Sequence, residues 1–464
     1  MDPEVHSYTY LRPSALAGRD LRLQTSGGLG IAATAGAALA PGTTAPAHPR
    51  FFTGFLTTPE AAAVALLGVA DVARTRYFQP LNQASLDPVV TGSRDRLRFE
   101  SFSGCCGVYA RLDVLPAGLD GDTTGHGTTN VDVNPPLRQA LARVSGAEPL
   151  HLAVGPDDVT VSTTGGTVVE KKVPLPDRWL RGFAEVQVTA ARFDQRAELD
   201  AAQATAFLRR LPVADNRSVL WAVPAGRTLR LTATPGPGAV CLAGGGRLVA
   251  LRPLLRFART LRVYGPAVTS AGSAASTWEL DTGALRLSLT LSPEPWRGFS
   301  GEGSVLAGLA GADGDDVDAD ADLVGTLLTW QPIVDVEELS DRAGIGANRV
   351  RAALSRLGTA GQVGYDVAEA AYFHRVLPYD AARVYRHNPR LAAARTLVET
   401  GAVTLDGDTA AVRGGADVYR LRRVGDRHTC TCAWWAKHRG ERGPCKHALA
   451  VDIVTRVAAA SRRN

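Results

Sequence analysis

The chain has 464 residues, 45% of them apolar and 21% charged, and its 51 lysines and arginines against 46 aspartates and glutamates leave a net charge of only +5. At roughly 100–200 residues per domain, this length predicts about two to four domains with real hydrophobic cores and excludes a lone small module. The composition excludes a wholly disordered chain, and the small net charge excludes a surface that grips polyanions all over, so any affinity for nucleic acid must be local.

Residues 26–50 are rich in Gly, Ala, Pro and Thr and read as a loop. Thr58-Pro59-Glu60 then starts a helix that runs to about Tyr77, with a capping hydroxyl, a proline at the first helical position and a carboxylate at the positive dipole end. Its Ala63–Val69 section is apolar nearly all round and belongs in a core. From Arg96 the pattern changes to short alternating or β-branched runs, which predict strands at Leu97–Phe102, Val108–Val114, Leu150–Val154, Val159–Thr163 and Thr167–Val173. Between them, Asn134-Pro135-Pro136 opens an amphipathic helix carrying Leu137, Leu141 and Val144. A second region repeats the mixture, with a helix at about Ala197–Leu211 and strands at Val219–Val223, Thr228–Thr234, Leu261–Tyr264 and Leu285–Leu291.

One internal echo ties these regions together. The run from Pro176 through Trp179, Arg181 and Gly182 to Phe183 recurs from Pro293 through Trp296, Arg297 and Gly298 to Phe299, with the tryptophans 117 residues apart. A duplicated α+β module is the economical explanation. It gives an N-terminal helical and irregular region (1–95), a first module (96–195) and a second (196–311), a layout similar to the repeated domains of a sliding clamp. The echoed Trp and Phe are expected as core anchors at each module's end. Asp313, Asp315, Asp316, Asp318, Asp320 and Asp322 follow. A hand-type calcium loop needs a Gly after its third acidic position and a closing Glu, which this run lacks, so 312–322 is expected to be a solvated linker that caps the next helix.

Residues 323–378 have the cadence of a small helical domain: helices at Leu323–Trp330, Asp335–Ala343 and Asn348–Leu357, then strands at Gln362–Val367 and Ala370–Leu377. The third helix sets Val350, Ala353, Leu354 and Leu357 on one face and leaves Asn348, Arg349, Arg351 and Arg356 on the others. This order resembles the winged helix-turn-helix of bacterial regulators. In a DNA reading those four polar residues approach bases or phosphates. In the alternative they are a solvated face or grip a protein.

After a connecting segment (379–410), the sharpest signal lies in 411–464. Cys430 and Cys432 are followed, after twelve intervening residues, by Cys445 and His447. Positions i and i+2 of a strand face the same way, so Arg427–Ala433 can present both thiols to one point while pairing with Tyr419–Val424. Cys445 and His447 open a helix reaching about Ala460, with Leu449, Ile453 and Val457 inward. Three thiolates and an imidazole make a closed tetrahedral shell for one structural Zn²⁺ and leave no position for a reacting water. The ligands resemble the SWIM zinc finger, Cys-x-Cys followed by Cys-x-His in a ββα fold. The segments Phe102–Tyr109 and Pro174–Gln187 also look like bacterial proteins that carry this finger. The resemblance implies DNA or protein binding without an assigned enzymatic activity. It also implies, as an alternative to nucleic-acid binding, a scaffold or adaptor in a bacterial assembly with AAA+ ATPase and von Willebrand A-type proteins.

Within the insert, Trp434 and Trp435 either stack on a base or a partner side chain or pack on the zinc core, the latter being preferred for at least one. Lys437, Arg439, Arg442 and Lys446 are candidate contacts to phosphate or to an acidic partner. Residues 411–464 carry twelve basic and four acidic residues, a net +8, which leaves the rest of the chain at −3. That local field suits nucleic acid or an acidic protein surface.

No phosphate-loop, HExxH or GxSxG motif occurs, so a non-enzymatic protein without a small-molecule substrate is expected. Adjacent Cys105 and Cys106 are expected to be small buried strand residues rather than redox groups. Six cysteines, three of them clustered, suit a reducing cytosol better than a secreted disulfide scaffold. With no secretory leader pattern and no apolar run of membrane-spanning length, a soluble cytoplasmic protein is expected.

Overall fold

The computed structural model describes residues 15–17, 22–24, 50–77, 88–123, 125–212, 218–268, 272–299, 314–377, 389–415, 417–425, 427–440 and 443–460. The architecture is mixed α+β. Its centre is an eight-stranded antiparallel sheet in the order Asp194–Asp200, Thr260–Gly265, Ser276–Asp281, Leu285–Leu291, Val108–Val114, Arg96–Phe102, Val89–Ser93 and His126–Asn130. The two expected modules therefore contribute to one continuous sheet, joined where Leu285–Leu291 pairs with Val108–Val114. A five-stranded sheet (Gly166–Lys171, Asp158–Thr163, His151–Val154, Phe52–Leu56, Leu119–Asp122) and a three-stranded one (Thr228–Thr232, Val219–Ala225, Val240–Ala243) complete the body.

Alternation along the strands puts Leu97, Phe99, Ala110, Leu112, Leu285, Leu287 and Leu289 on one face of the large sheet. The helix Pro59–Arg74 and the 3-10 helix Gly245–Phe257 cover that face. The expected helix at Ala197–Leu211 begins later, at Ala201, because Asp200 caps it: its side chain accepts from the Gln203 amide while the Gln203 side chain accepts from the Asp200 amide. Residues Asp194–Asp200 are thereby left extended and pair with Thr260–Gly265.

The echoed segments do not share a conformation. Asp177–Ala190 is a helix with Trp179 fully buried, whereas Trp296 lies in a turn and is 57% exposed, so it is not a core anchor. Both segments nevertheless close on one place, since Trp179, Phe183 and Phe299 all pack edge-on against Phe102. The shared glycine has a steric reason in each: a Cβ at Gly182 would lie 2.8 Å from the Phe102 ring, and one at Gly298 would lie 2.1 Å from the Cys105 carbonyl oxygen. In that loop Cys106 is buried at positive φ and Cys105 is half-buried, so neither is a strand residue.

The opposite face of the large sheet carries Arg96, Arg98, Glu100, Arg111, Asp113, Glu279 and Arg286, an alternation that reads as a solvated surface, yet all seven are buried. What covers them is the hairpin Val363–Asp366/Ala371–His374, which follows the helices Gly314–Leu327, Val336–Ala343 and Ala347–Thr359. Asp366 reaches Arg111 at 2.7 Å and Arg286 at 2.9 Å, while Asp113 forms ion pairs with Arg98 and Arg111, each at 2.9 Å. Arg375 meets Glu100 at 2.5 Å, and the Arg98 guanidinium lies 3.9 Å from the centre of the Phe373 ring. A hairpin that would project freely as a wing is thus docked on the sheet by charge.

Glu279, on the same face, is pushed up to about 7 from an ordinary 4.5, chiefly by burial, with Arg286 opposing. Because the folded chain holds this proton more tightly than the unfolded one, its stabilisation is complete below about pH 4.5 and is lost as pH rises towards 7. At about 1.4 kcal/mol per unit, the loss is on the order of 3 kcal/mol. Urea denaturation of the Glu279→Gln variant across pH 4.5–7 is expected to show that decline flattened. An unchanged slope would refute the assignment.

Candidate metal centre

The finger is built on a four-stranded antiparallel sheet, Val403–Asp406, Thr409–Gly414, Asp417–Val424 and Arg427–Cys430, and starts ahead of the residue 411 expected from sequence. Val412, Leu421 and Cys430 face inward, and Ala448 and Val451 of the helix Lys446–Ala460 close over them. A preceding helix, Pro389–Glu399, packs Leu391 and Ala394 against Leu449 and Ala450. Part of the expected connecting segment therefore belongs to this unit.

Cys430 ends the last strand, paired opposite Leu421. Cys432 is not on that strand but caps the short helix Ala433–His438, its Sγ accepting the Trp435 amide at 3.4 Å. Cys445 sits immediately before the long helix, its Sγ accepting the Ala448 amide at 3.4 Å, and His447 follows in the first turn. The four candidate ligand atoms lie within 4.8 Å of one another, and all four residues are buried.

The donor set fits a soft divalent cation. Cys430 Sγ stands 3.8 Å from His447 Nδ1, the separation that two ligands of one tetrahedral zinc adopt. The other imidazole nitrogen, Nε2, is buried without a hydrogen-bond partner. The hydrogen bond with Cys430 draws Cys445 down to about 4, while the same bond and burial push Cys430 far above the ordinary thiol range. Sulfurs that must share protons in this way take a cation in their place. Around them, the Tyr419 ring stacks on His447 at 4.0 Å and fixes the imidazole plane. Gly414 makes room for that stack, since a Cβ there would lie 2.8 Å from the Tyr419 ring.

The tryptophans of the insert pack rather than project. Trp434 is half-buried against the finger core, with the Arg390 guanidinium 4.2 Å from its ring centre, and its indole nitrogen donates to the Gly443 carbonyl. Trp435 packs on the same core, against Gly440. Lys437, Arg439 and Lys446 are exposed, and Arg442 lies outside the described residues.

The remaining candidates are on the helix Ala347–Thr359, whose Val350, Ala353, Leu354 and Leu357 form the expected buried stripe. Its outward side is not a bare cationic face. Arg349 makes a bidentate pair with Asp320, both contacts 2.7 Å, and Arg356 meets Asp318 at 2.6 Å. Arg351 donates to Asn348 at 3.2 Å and lies 3.5 Å from Glu337. The described part of the acidic run is therefore helix, not linker, and neutralises Arg349 and Arg356 of the third helix, while Glu337 of the second faces Arg351. Sequence reading missed this because the partners are 29 and 38 residues apart.

Residues 403–451 match the family model of the SWIM zinc finger. No curated protein matches the chain. Among solved structures, it is similar to the PCNA2–PCNA3 complex from Sulfolobus tokodaii, with 9% identity over 52% of this chain and 99% of that chain at a TM-score of 0.38. It is also similar to the proliferating cellular nuclear antigen from Entamoeba histolytica, with 11% identity over 53% and 100% of the respective chains at a TM-score of 0.35.

Proposed function

We propose that this chain, whose C-terminal unit is a SWIM zinc finger, is a non-enzymatic protein that holds one structural Zn²⁺ through Cys430, Cys432, Cys445 and His447 and binds nucleic acid through that finger. Four protein ligands close the metal shell, so the ion shapes the unit and activates no water. The observation that carries the binding reading is the contrast in how cations are spent. Arg98, Arg111, Arg286 and Arg375 on the covered face of the large sheet and Arg349, Arg351 and Arg356 of the third helix face carboxylates at ion-pair distance, whereas Arg420, Arg422, Lys437, Arg439 and Lys446 of the finger are exposed and make no ion pair among the described residues. Free cations of one sign on a small unit are what a polyanion reads.

The helices Gly314–Leu327, Val336–Ala343 and Ala347–Thr359 with their hairpin follow the element order of a winged helix, and we assign them a joint role. The hairpin is tied to the sheet and the third helix is neutralised, so the unit fixes geometry and reads no groove. The 464-residue chain titrated with labelled DNA is expected to lose affinity steeply as salt rises, because each neutralised phosphate releases counterions. Absence of binding to duplex and single strand alike at low salt would overturn this reading and leave the adaptor one.

A further inference from the structure

We infer that the open face of the finger's four-stranded sheet is the binding surface, and that its occupant is the sugar–phosphate backbone of a single nucleic-acid strand. This rests on the nucleic-acid reading above and gives it a place. One face of the sheet is taken by the metal centre and the helix Lys446–Ala460. On the other, the register aligns Thr404, Ala411 and Arg420 across three strands, with Thr431 beside Arg420. The next row aligns Asp406, Thr409, Arg422 and Thr429. These residues line a concavity of about 550 Å³, the size of a small-molecule site.

The chemistry of this face selects its occupant. Arg420 and Arg422 stand two residues apart on one strand, so they project in the same direction about 6.7 Å from each other, a spacing that suits consecutive phosphates of an extended strand. A guanidinium fork matches phosphate oxygens in pairs. Between them and the edge, Ala411 keeps the floor low, and the Thr431 hydroxyl, which accepts the Arg420 amide at 3.0 Å, still has its own proton to donate. Asp406 is the one carboxylate lining the concavity. No aromatic ring lines it, since Tyr419 is turned to the opposite face against His447. Contact therefore goes to backbone rather than to stacked bases, and binding is expected to be indifferent to base identity. A shallow trough on a four-stranded sheet takes one strand along its floor, whereas a duplex would meet only its rim.

The test uses the full zinc-loaded chain and the double variant Arg420→Gln/Arg422→Gln, with fluorescence anisotropy of labelled oligothymidylate and oligodeoxyadenylate across a salt series. Both substitutions are on exposed side chains, and zinc content serves as the check that the finger remains folded. Loss of two phosphate contacts is expected to lower the slope of log affinity against log salt by about 1.4 and to weaken binding at least tenfold at low salt. A second variant, Ala411→Glu, places a carboxylate on the floor and is expected to abolish binding. Wild-type binding that persists with an unchanged slope in the double variant, while Lys437→Gln/Arg439→Gln/Lys446→Gln removes it, would overturn the placement and leave the nucleic-acid function standing. Equal competition by duplex DNA or by polyglutamate would overturn the choice of occupant. Failure of the wild-type chain to bind any nucleic acid would overturn the function itself.

Discussion

Cys445→Ser is expected to strip the metal and unfold residues 403–460 while the eight-stranded body keeps its own melting transition. The finger has little else to hold it. Its buried apolar side chains are Ala410, Val412, Leu421, Ala448 and Val451 around the thiols and Leu449 and Ala450 against Leu391 and Ala394, with Tyr419, Trp434 and Trp435 only half-buried. A core of that size stabilises by a few kcal/mol, whereas structural zinc contributes on the order of 10 kcal/mol or more. Cys445 joins the long helix to the strand that bears Cys430, and its Sγ also accepts the Ala448 amide in the first turn of that helix. The finger's clusters contain no residue before Leu391, so the body's clusters lose no member when the finger unfolds. Metal content of the purified reduced protein and hydrogen exchange over 403–455 would be measured together. A variant that keeps its metal and its exchange protection would end the structural-zinc account, and chelation of the wild-type chain should reproduce the variant.

Asp366→Asn is expected to cost about 3–5 kcal/mol, the usual penalty for removing one member of a buried ion-pair network. Asp366 is 1% exposed and stands between Arg111 and Arg286, with Arg98 at 3.5 Å, so the amide leaves three guanidinium groups sharing Asp113, with Glu369 reaching Arg286 at 3.1 Å. The shape is unchanged, and the effect is therefore one of charge. Burial pushes the Asp366 carboxyl up, but Arg111, Arg286 and Arg98 together hold it well below the ordinary carboxylate range. A depressed carboxylate stabilises fully above the unfolded value of about 4 and loses that stabilisation as pH falls below it. Below about pH 4, where Glu279 is already protonated, wild-type stability should thus drop, and the variant should start lower and drop less. Urea denaturation at about pH 4.5 and at lower pH, with exchange over 363–374 to detect release of the hairpin, would decide it. An unfolding free energy within about 0.5 kcal/mol of wild type, a surface-like value, would show that the network does not hold the hairpin down.

Much of this was legible in the residues. Strands Val108–Val114 and Leu285–Leu291 fall where their alternation places them, and the third helix buries the four residues its periodicity selects. The strands Phe52–Leu56, Val89–Ser93, His126–Asn130 and Ser276–Asp281 went unseen, as did the helix Asp177–Ala190. Val-Val-Thr-Gly-Ser and His-Gly-Thr-Thr-Asn have weak patterns of their own and become strands by pairing with each other at the sheet edge. The same holds for the finger's first two strands, Val403–Asp406 and Thr409–Gly414, which looked like part of a connection.

The metal ligands and the core stripes could be read in advance because each depends on residue type and on spacings of two, three, four or about a dozen positions, which local geometry converts directly into a shared face. Which arginines remain free to meet a partner could not. Arg111 and Asp366 are 255 positions apart and Arg375 and Glu100 are 275 apart, so only the packing of the hairpin on the sheet brings those charges within reach and removes them from solvent. Charge is written along the chain, but the low-dielectric contact that cancels it exists only once distant elements have met.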